Sequence, residues 1–450
     1  MTAVGSRAPF PPGPRASFPG ALVFRIQRDA LAFLAEAKRE HGDIVGFRVG
    51  RQPVVLLSAP DDVRDVLVTN QRNFTKGRGL ERAKLLLGEG LLTSEGDFHL
   101  RQRRLVQPAF HRQRVASYGE TMVAYAARAT SRWRDGETID AHAAMTALTL
   151  AIVGKTLFDA DVEAEAAEIG DALTASVEAF PLANMPFSEI LEKLPIPAAL
   201  RFRRARRRLD ATIYRMIAER RAAPGDRGDL LSMLLLATDA EGDGGGMSDL
   251  QLRDEAMTLF LAGHETTANA LTWALHLLSR HPDAEARALA EADALGGEPR
   301  ADDLPRLSWI RAVLAEAMRL YPPAWIIGRR AKAAFDVGGF HVPARTLVLV
   351  SQYLVHRDPR WWPDADAFRP ARWLDAAAAA ERPKFAYFPF GAGTRVCIGE
   401  QFAWMEGVLV LATVLRDWRL RPAQAEPRLD ALITLRPKGG LRLTPSARRA

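Results

Sequence analysis

The sequence predicts a mainly α, multi-helical fold with small β-sheets. Three observations carry that expectation. Helical periodicity dominates the 450 residues, strand signals are short, and one segment reads as a long helix apolar around much of its circumference. Hydrophobic residues make up 48% and charged residues 26%, which excludes disordered and collagen-like chains. At this length a large core is buried. The chain divides into a Pro-rich lead-in, 1–22, and a single domain, 23–450.

The elements follow in order. The lead-in carries Arg7 and Arg15 among several prolines and lacks an apolar signal core, so it reads as semi-rigid and not as an export signal. Residues 44–58 alternate and form a small hairpin around Gly50. Arg201, Arg203, Arg204, Arg206, Arg207 and Arg208 form a basic run on a solvated helix face. Residues 242–246 are a Gly/Asp-rich surface loop. Ser248 and Gln251 then give a capping-box pattern, and apolar and small residues continue to Leu278, with a stop before Pro282. Such a helix is on the order of 45 Å long and belongs at the centre of a core. Short strands are expected at 335–342 and 347–350. A last hairpin over 432–443 turns at Lys438-Gly439-Gly440. No window offers about 18 uncharged apolar residues, so no transmembrane helix is expected.

One cysteine excludes an internal disulfide and suits a reducing, cytoplasmic setting. It also excludes a four-cysteine metal site within the chain. The net charge of +7 attracts anionic partners. No nucleic-acid-binding signature accompanies it, so an acidic protein is the better partner.

The cysteine sits in Phe390-Gly-Ala-Gly-Thr-Arg-Val-Cys-Ile-Gly399, ahead of a helical run at 400–415. A lone cysteine is usually an inert core residue. The pattern around this one reverses that reading, because its five specified positions match by chance roughly once in 10⁷ start sites. Gly391 and Gly393 let backbone approach a flat ligand. Helix N–H groups stabilise the Cys397 thiolate and tune a bound iron. Gly399 removes a side chain that would press on a macrocycle, Arg395 can pair with a ligand carboxylate, and Phe390 shields the sulfur.

This segment resembles the haem-binding signature of the cytochromes P450, with every specified position present. The resemblance covers nearly the whole chain. It implies a multi-helical cytochrome P450 fold with haem b between the central long helix and the Cys-loop helix. Cys397 would be the iron's thiolate ligand, favouring O–O cleavage. The activity implied is that of a monooxygenase inserting one atom of O₂ into a lipophilic small molecule, by hydroxylation or epoxidation.

Other motifs match the same family. Ala262-Gly-His-Glu-Thr-Thr267 resembles its oxygen-activation motif. There Thr266 bonds the carbonyl near Ala262 and opens the helix, and Thr266 with Glu265 relays protons. Glu316 and Arg319 share a helix face at i, i+3 and, with Arg372, resemble the family's buried structural triad. By register, His99, Arg103, Arg329 and Arg395 match the partners of the haem propionates. Histidine replaces a tryptophan common at the first of these positions, and the neighbouring Arg101, Arg104 and Arg330 leave the register open by one. Positions that usually face substrate are apolar: 85–87, Phe260, Ala262, 324–327 and 432–434, with Leu87, Trp325, Ile326 and Ile433 expected in the pocket. Fatty acids, terpenoids and polyketide-like molecules all fit. Because the chain ends soon after Leu443, electrons are expected from a ferredoxin or flavodoxin with its reductase. Arg101, Arg104, Arg112 and Arg114 are the expected docking charges for that donor. A monomer without nucleic acid or membrane anchor is expected. The rivals are a haem sensor without turnover and a peroxide-driven haem-thiolate enzyme, and the Glu265-Thr266 pair argues against both.

Overall fold

The capping box predicted from Ser248 is present and starts the longest of the described helices. In the computed structural model, which describes residues 8–159, 197–223, 225–239 and 245–448, this helix spans Asp249–Arg280. Gln251 N–H donates to Ser248 Oγ (3.3 Å) and Ser248 N–H to Gln251 Oε1 (2.8 Å). The helix ends one residue before His281-Pro282, as the missing proline N–H requires. Most of the expected loop at 242–246 lies outside the described residues.

The chain divides into two compact units. The larger takes in residues 82–323, 368–376 and 398–450. Its centre is the long helix, which packs most extensively against Ala141–Phe158. That second helix is the one described helix long and apolar enough to cross a membrane, and 67% of it is buried inside the fold. It contains Lys155, which is why a search for uncharged windows passes over it. Its start is fixed by Asp140, whose carboxylate accepts from His142 and Ala143 N–H. The helix Ser308–Leu320 and the Glu400–Asp417 helix complete the apolar centre. The basic run lies on a helix, Pro197–Ala222, and all six of its arginines are exposed.

The final hairpin differs from expectation. Leu435–Pro437 pairs with Leu429–Ala431, whereas Arg442–Ala447 pairs with Trp418–Pro422 and, at its start, with Ile139–Asp140. The turn of the short hairpin falls at 432–434. Gly439 and Gly440 take φ of 81° and 87° and redirect the chain from one sheet to the next. A Cβ at Gly440 would lie 2.1 Å from the Asp140 carboxylate, which accepts from Leu441 N–H. The glycine pair is a transfer point between sheets.

The smaller unit takes in residues 1–81, 324–367 and 377–397. Its larger sheet has five strands, ordered Ile44–Val49, Gln52–Leu57, Leu347–Val350, Ile327–Ala331 and Phe74–Lys76. Only the pair Gln52–Leu57 with Leu347–Val350 is parallel. The expected hairpin around Gly50 is the first pair. The 335–342 segment is itself a hairpin, Phe335–Val337 with Phe340–Val342, turning at Gly338-Gly339. One face of the sheet buries Val55, Leu57, Val348, Val350 and Phe388 in a common cluster. The lead-in is held by backbone: Gly46 N–H donates to Pro12 O (2.8 Å) and His341 N–H to Pro9 O (3.0 Å). A helix, Ala21–Arg28, begins just inside its expected end.

Candidate active site

The cysteine loop lies in the smaller unit. Cys397 is exposed, although free cysteine is among the most buried residue types. Cys397 N–H donates to Phe390 O (2.9 Å) and Gly391 N–H to Phe388 O (3.0 Å), so the loop closes on itself. Gly391 and Gly393 both take φ of 71°. A Cβ at Gly393 would meet Leu67 O at 2.1 Å, so only glycine lets the loop lie this close to that turn. Gln71 Oε1 accepts from Thr394 N–H and Oγ (3.0 and 2.8 Å) and pins the loop from the other side. Phe388 N–H donates to the ring of the buried His356 (3.0 Å). Phe390 and Arg395 are half-buried.

On the strand Ile327–Ala331, side chains alternate between faces. Arg329 is buried, with Nη1 donating to Gly328 O (3.1 Å). Arg330 lies on the other face and pairs with Glu81 (2.9 Å). Trp325 is buried and its carbonyl accepts from Ser351 Oγ (2.9 Å). Ile326 is half-buried.

The central helix and its surroundings lie in the larger unit. Ala262 is exposed in a helix that is otherwise buried over most of its length. Thr266 Oγ donates to Ala262 O (2.8 Å). The expected opening is not a break, since the helix is continuous from Asp249 to Arg280 and the hydroxyl adds to the Ala262 carbonyl without interrupting it. Glu265 turns away from Thr266 and accepts from Thr434 Oγ (2.6 Å). Burial pushes the Glu265 carboxyl above its ordinary range, with the Thr434 hydroxyl and the charge of Arg436 pulling it back down. His264 faces the core. Its Nδ1 bonds Phe260 O (2.9 Å), and burial lowers its pKa to about 4.

His99 and Arg103 stand one turn apart on Gly96–Val106 and share a face. His99 is buried, and its Nδ1 bonds Leu91 O (3.1 Å), which fixes the ring. Glu255, on the central helix, accepts from Leu91 N–H (3.0 Å) and Gln102 Nε2 (2.8 Å) and anchors this segment. Arg101 and Arg104 are both engaged with the buried Asp239, at 3.5 and 3.0 Å. They are therefore not free docking charges. Arg112 is exposed, and Arg114 pairs with Asp226 (2.7 Å).

Glu316, Arg319 and Arg372 come together as expected. Arg319 binds Glu316 through two bonds (2.9 and 2.8 Å), and Arg372 Nε donates to Glu316 Oε1 (3.1 Å). Two further donors escaped the sequence reading: Trp373 Nε1 to Oε2 (2.8 Å) and Arg369 N–H to Oε1 (3.0 Å). The Phe-Arg-Pro-Ala-Arg-Trp run held the signal. Among the expected pocket residues, Leu87 and Phe260 are buried and Ile433 is half-buried. Phe260 packs on Phe158 (centroids 5.5 Å apart).

The residues present fit a haem. In the smaller unit the cysteine loop offers an exposed thiol, with Arg329 and Arg395 as cations suited to carboxylates; in the larger unit His99 and Arg103 share one helix face. The comparisons agree. The cytochrome P450 family profile matches residues 11–445. The chain belongs to the cytochrome P450 family. It is 44% identical to cyclooctatin synthase of Streptomyces melanosporofaciens over 94% of this chain and 92% of that one. It is 39% identical to the same organism's cyclooctat-9-en-7-ol 5-monooxygenase, over 93% and 92%. Pentalenene oxygenase of Streptomyces avermitilis is 38% identical, over 96% and 97%. A crystal structure of a cytochrome P450DA heme domain superposes with a TM-score of 0.89 at 27% identity, covering 98% of each chain. The protein is a haem-dependent monooxygenase acting on a lipophilic small molecule with O₂ and a redox partner.

Proposed function

We propose that Cys397 provides the thiolate ligand of haem b, that His99, Arg103, Arg329 and Arg395 receive its propionates, and that Glu265 and Thr266 manage protons at the oxygen side. Phe390 and Gly399 shield and clear the ring. One observation carries the assignment: the complete 390–399 pattern lies in a loop that Gly393, Leu67 and Gln71 pin, with its thiol exposed. Thiolate-ligated haem supplies the activation of O₂ and the insertion of one oxygen atom.

Arg103 shares a helix face with His99, and Arg329 is buried on the strand face opposite Arg330, which supports the register chosen for the propionate partners. Near Thr266, the hydroxyl bonded to Ala262 O can accept a proton-bearing group and pass its own proton on. Burial raises the Glu265 carboxyl above its ordinary range, which favours proton uptake there.

A terpenoid substrate is favoured, because relatives are named for oxidising pentalenene and cyclooctat-9-en-7-ol. Leu87, Phe260, Ala262, Trp325, Ile326 and Ile433 supply apolar surface for it. Residues 23–450 would then act as one catalytic domain, monomeric and cytoplasmic. Electrons would come from an acidic ferredoxin or flavodoxin that meets the exposed Arg112.

The test is spectroscopic. Reduced, haem-loaded protein with carbon monoxide should show the red-shifted Soret band of thiolate ligation. Cys397→Ala should abolish the band while folding is retained, and a surviving band would remove the ligand assignment. Spin-state titration with pentalenene tests the substrate class.

A further inference from the structure

The carboxyl of Glu265 does not stand alone. Thr434 Oγ donates to Glu265 Oε1 (2.6 Å), Asn269 Nδ2 donates to Thr434 Oγ (3.1 Å), and His142 Nε2 meets Asn269 Oδ1 (3.1 Å). These groups come from three elements: the central helix, the turn at 432–434, and the first turn of Ala141–Phe158. Asn269 is fully buried, and Thr434 is 5% exposed.

Donor and acceptor chemistry gives the chain a direction. Asn269 Oδ1 only accepts, so His142 Nε2 carries a hydrogen. Asn269 Nδ2 only donates, so Thr434 Oγ must accept from it. The single Thr434 hydroxyl hydrogen is then directed at Glu265. Burial holds His142 below its ordinary pKa, consistent with a neutral ring donating through Nε2. The chain is anchored at its far end, because Asp140 caps the helix on which His142 stands. The charges that act on Glu265 from its surroundings reduce to Arg436, which is itself bonded to Asp430 (3.2 Å).

We infer that Thr434, oriented by Asn269 and His142, is a positioning residue that holds the Glu265 carboxyl by a directed hydroxyl donor. This rests on the proposed role of Glu265 in proton handling. It reassigns Thr434, which sequence reasoning grouped with the substrate-facing positions 432–434. The hydroxyl favours the ionised carboxylate against the burial that disfavours it. It also keeps the carboxyl on the hairpin side of the helix, so delivery of a proton requires this one bond to be released.

Thr434→Val preserves shape and removes the donor. The measurement is a pH titration of haem-loaded protein by infrared difference spectroscopy. The protonated-carboxyl band is assigned by its loss in Glu265→Gln. Thr434→Val should raise the proton affinity of that band about tenfold, a shift of about one pH unit. Thr434→Ser should restore it, and Asn269→Leu should reproduce part of the shift. An unmoved midpoint in Thr434→Val, or no recovery in Thr434→Ser, overturns the proposal. If Thr434→Val does not take up haem, Thr434→Ala gives the same readout. The role of Glu265 itself is read separately, as peroxide released per reductant consumed by Glu265→Gln with a surrogate ferredoxin and reductase. Unchanged release there sinks the proton-handling role and leaves the infrared result to decide on Thr434.

Discussion

Two carboxylates of the larger unit, the fully buried Glu316 and the half-buried Glu265, are held in opposite ways. Glu316 is fully buried and saturated, with two guanidinium groups, an indole N–H and a backbone N–H on its two oxygens. Glu265 is half-buried, with a neutral hydroxyl as its hydrogen-bond donor and Arg436 acting at a distance. The first arrangement surrounds the carboxylate with guanidinium groups. In the second, burial raises the carboxyl's pKa while a hydroxyl and a more distant arginine lower it. A carboxylate wrapped by cations is structural, and one held by a single hydroxyl is available for chemistry.

The harshest test of that contrast is Glu316→Gln. It leaves Arg319 and Arg372 buried beside a neutral amide. Removing one member of a buried ionic group costs about 3–5 kcal/mol. Chemical denaturation should show a loss of that size, together with poor haem retention. A loss below about 1 kcal/mol, the scale of an exposed pair, would mean that Glu316 is not the keystone of its cluster.

Much of this was legible before any coordinates. The cysteine loop, the Glu-x-x-Arg pair and the capping box of the central helix are local patterns, and local physics forms them. What escaped was long-range. Thr434 and Glu265 are separated by 169 positions, and Arg104 and Asp239 by 135. Nothing near either residue announces the other. The last hairpin failed for a related reason. Gly439-Gly440 is a strong turn signal, but a turn does not say which strand the chain will meet next. Here Asp140, a helix cap far upstream, captures Leu441 and diverts the strand. The bond expected from the Thr266 hydroxyl to Ala262 O is formed, within a helix that runs from Asp249 to Arg280.

The neighbour of Glu265 sharpens the comparison through pH. His264 is buried with its pKa lowered from 6.5 to about 4, because burial disfavours the imidazolium more than the Phe260 carbonyl favours it. The unfolded chain binds this proton below about pH 6.5, whereas the folded chain binds it only near pH 4. Its contribution to stability is therefore complete above pH 6.5 and is lost as pH falls towards about 4. Over that window the loss amounts to up to about 3 kcal/mol. His264→Gln should flatten this part of the stability profile. An unchanged slope would place the acid sensitivity elsewhere.

Trp373→Phe removes one donor from Glu316 and keeps the ring. The remaining bonds to Arg319, Arg372 and Arg369 N–H hold the carboxylate, so a loss of about 1–2 kcal/mol is expected. A larger loss would show that the indole, and not the arginines, closes the cluster.

The smallest effect on stability is expected at Glu265 itself. Glu265→Gln keeps an oxygen to accept from Thr434, and the other half of the side chain becomes an amide that need not ionise. Burial disfavours the charged form of the native carboxyl, so removing the charge offsets what the exchange loses in hydrogen-bond strength. The net change in unfolding free energy at neutral pH should stay within about 1 kcal/mol. A drop comparable to that of Glu316→Gln would show that Glu265 is a structural carboxylate whose neutral setting conceals an ionic role. A near-zero change with altered peroxide release would instead separate holding the fold from handling a proton, within one helix and at one position.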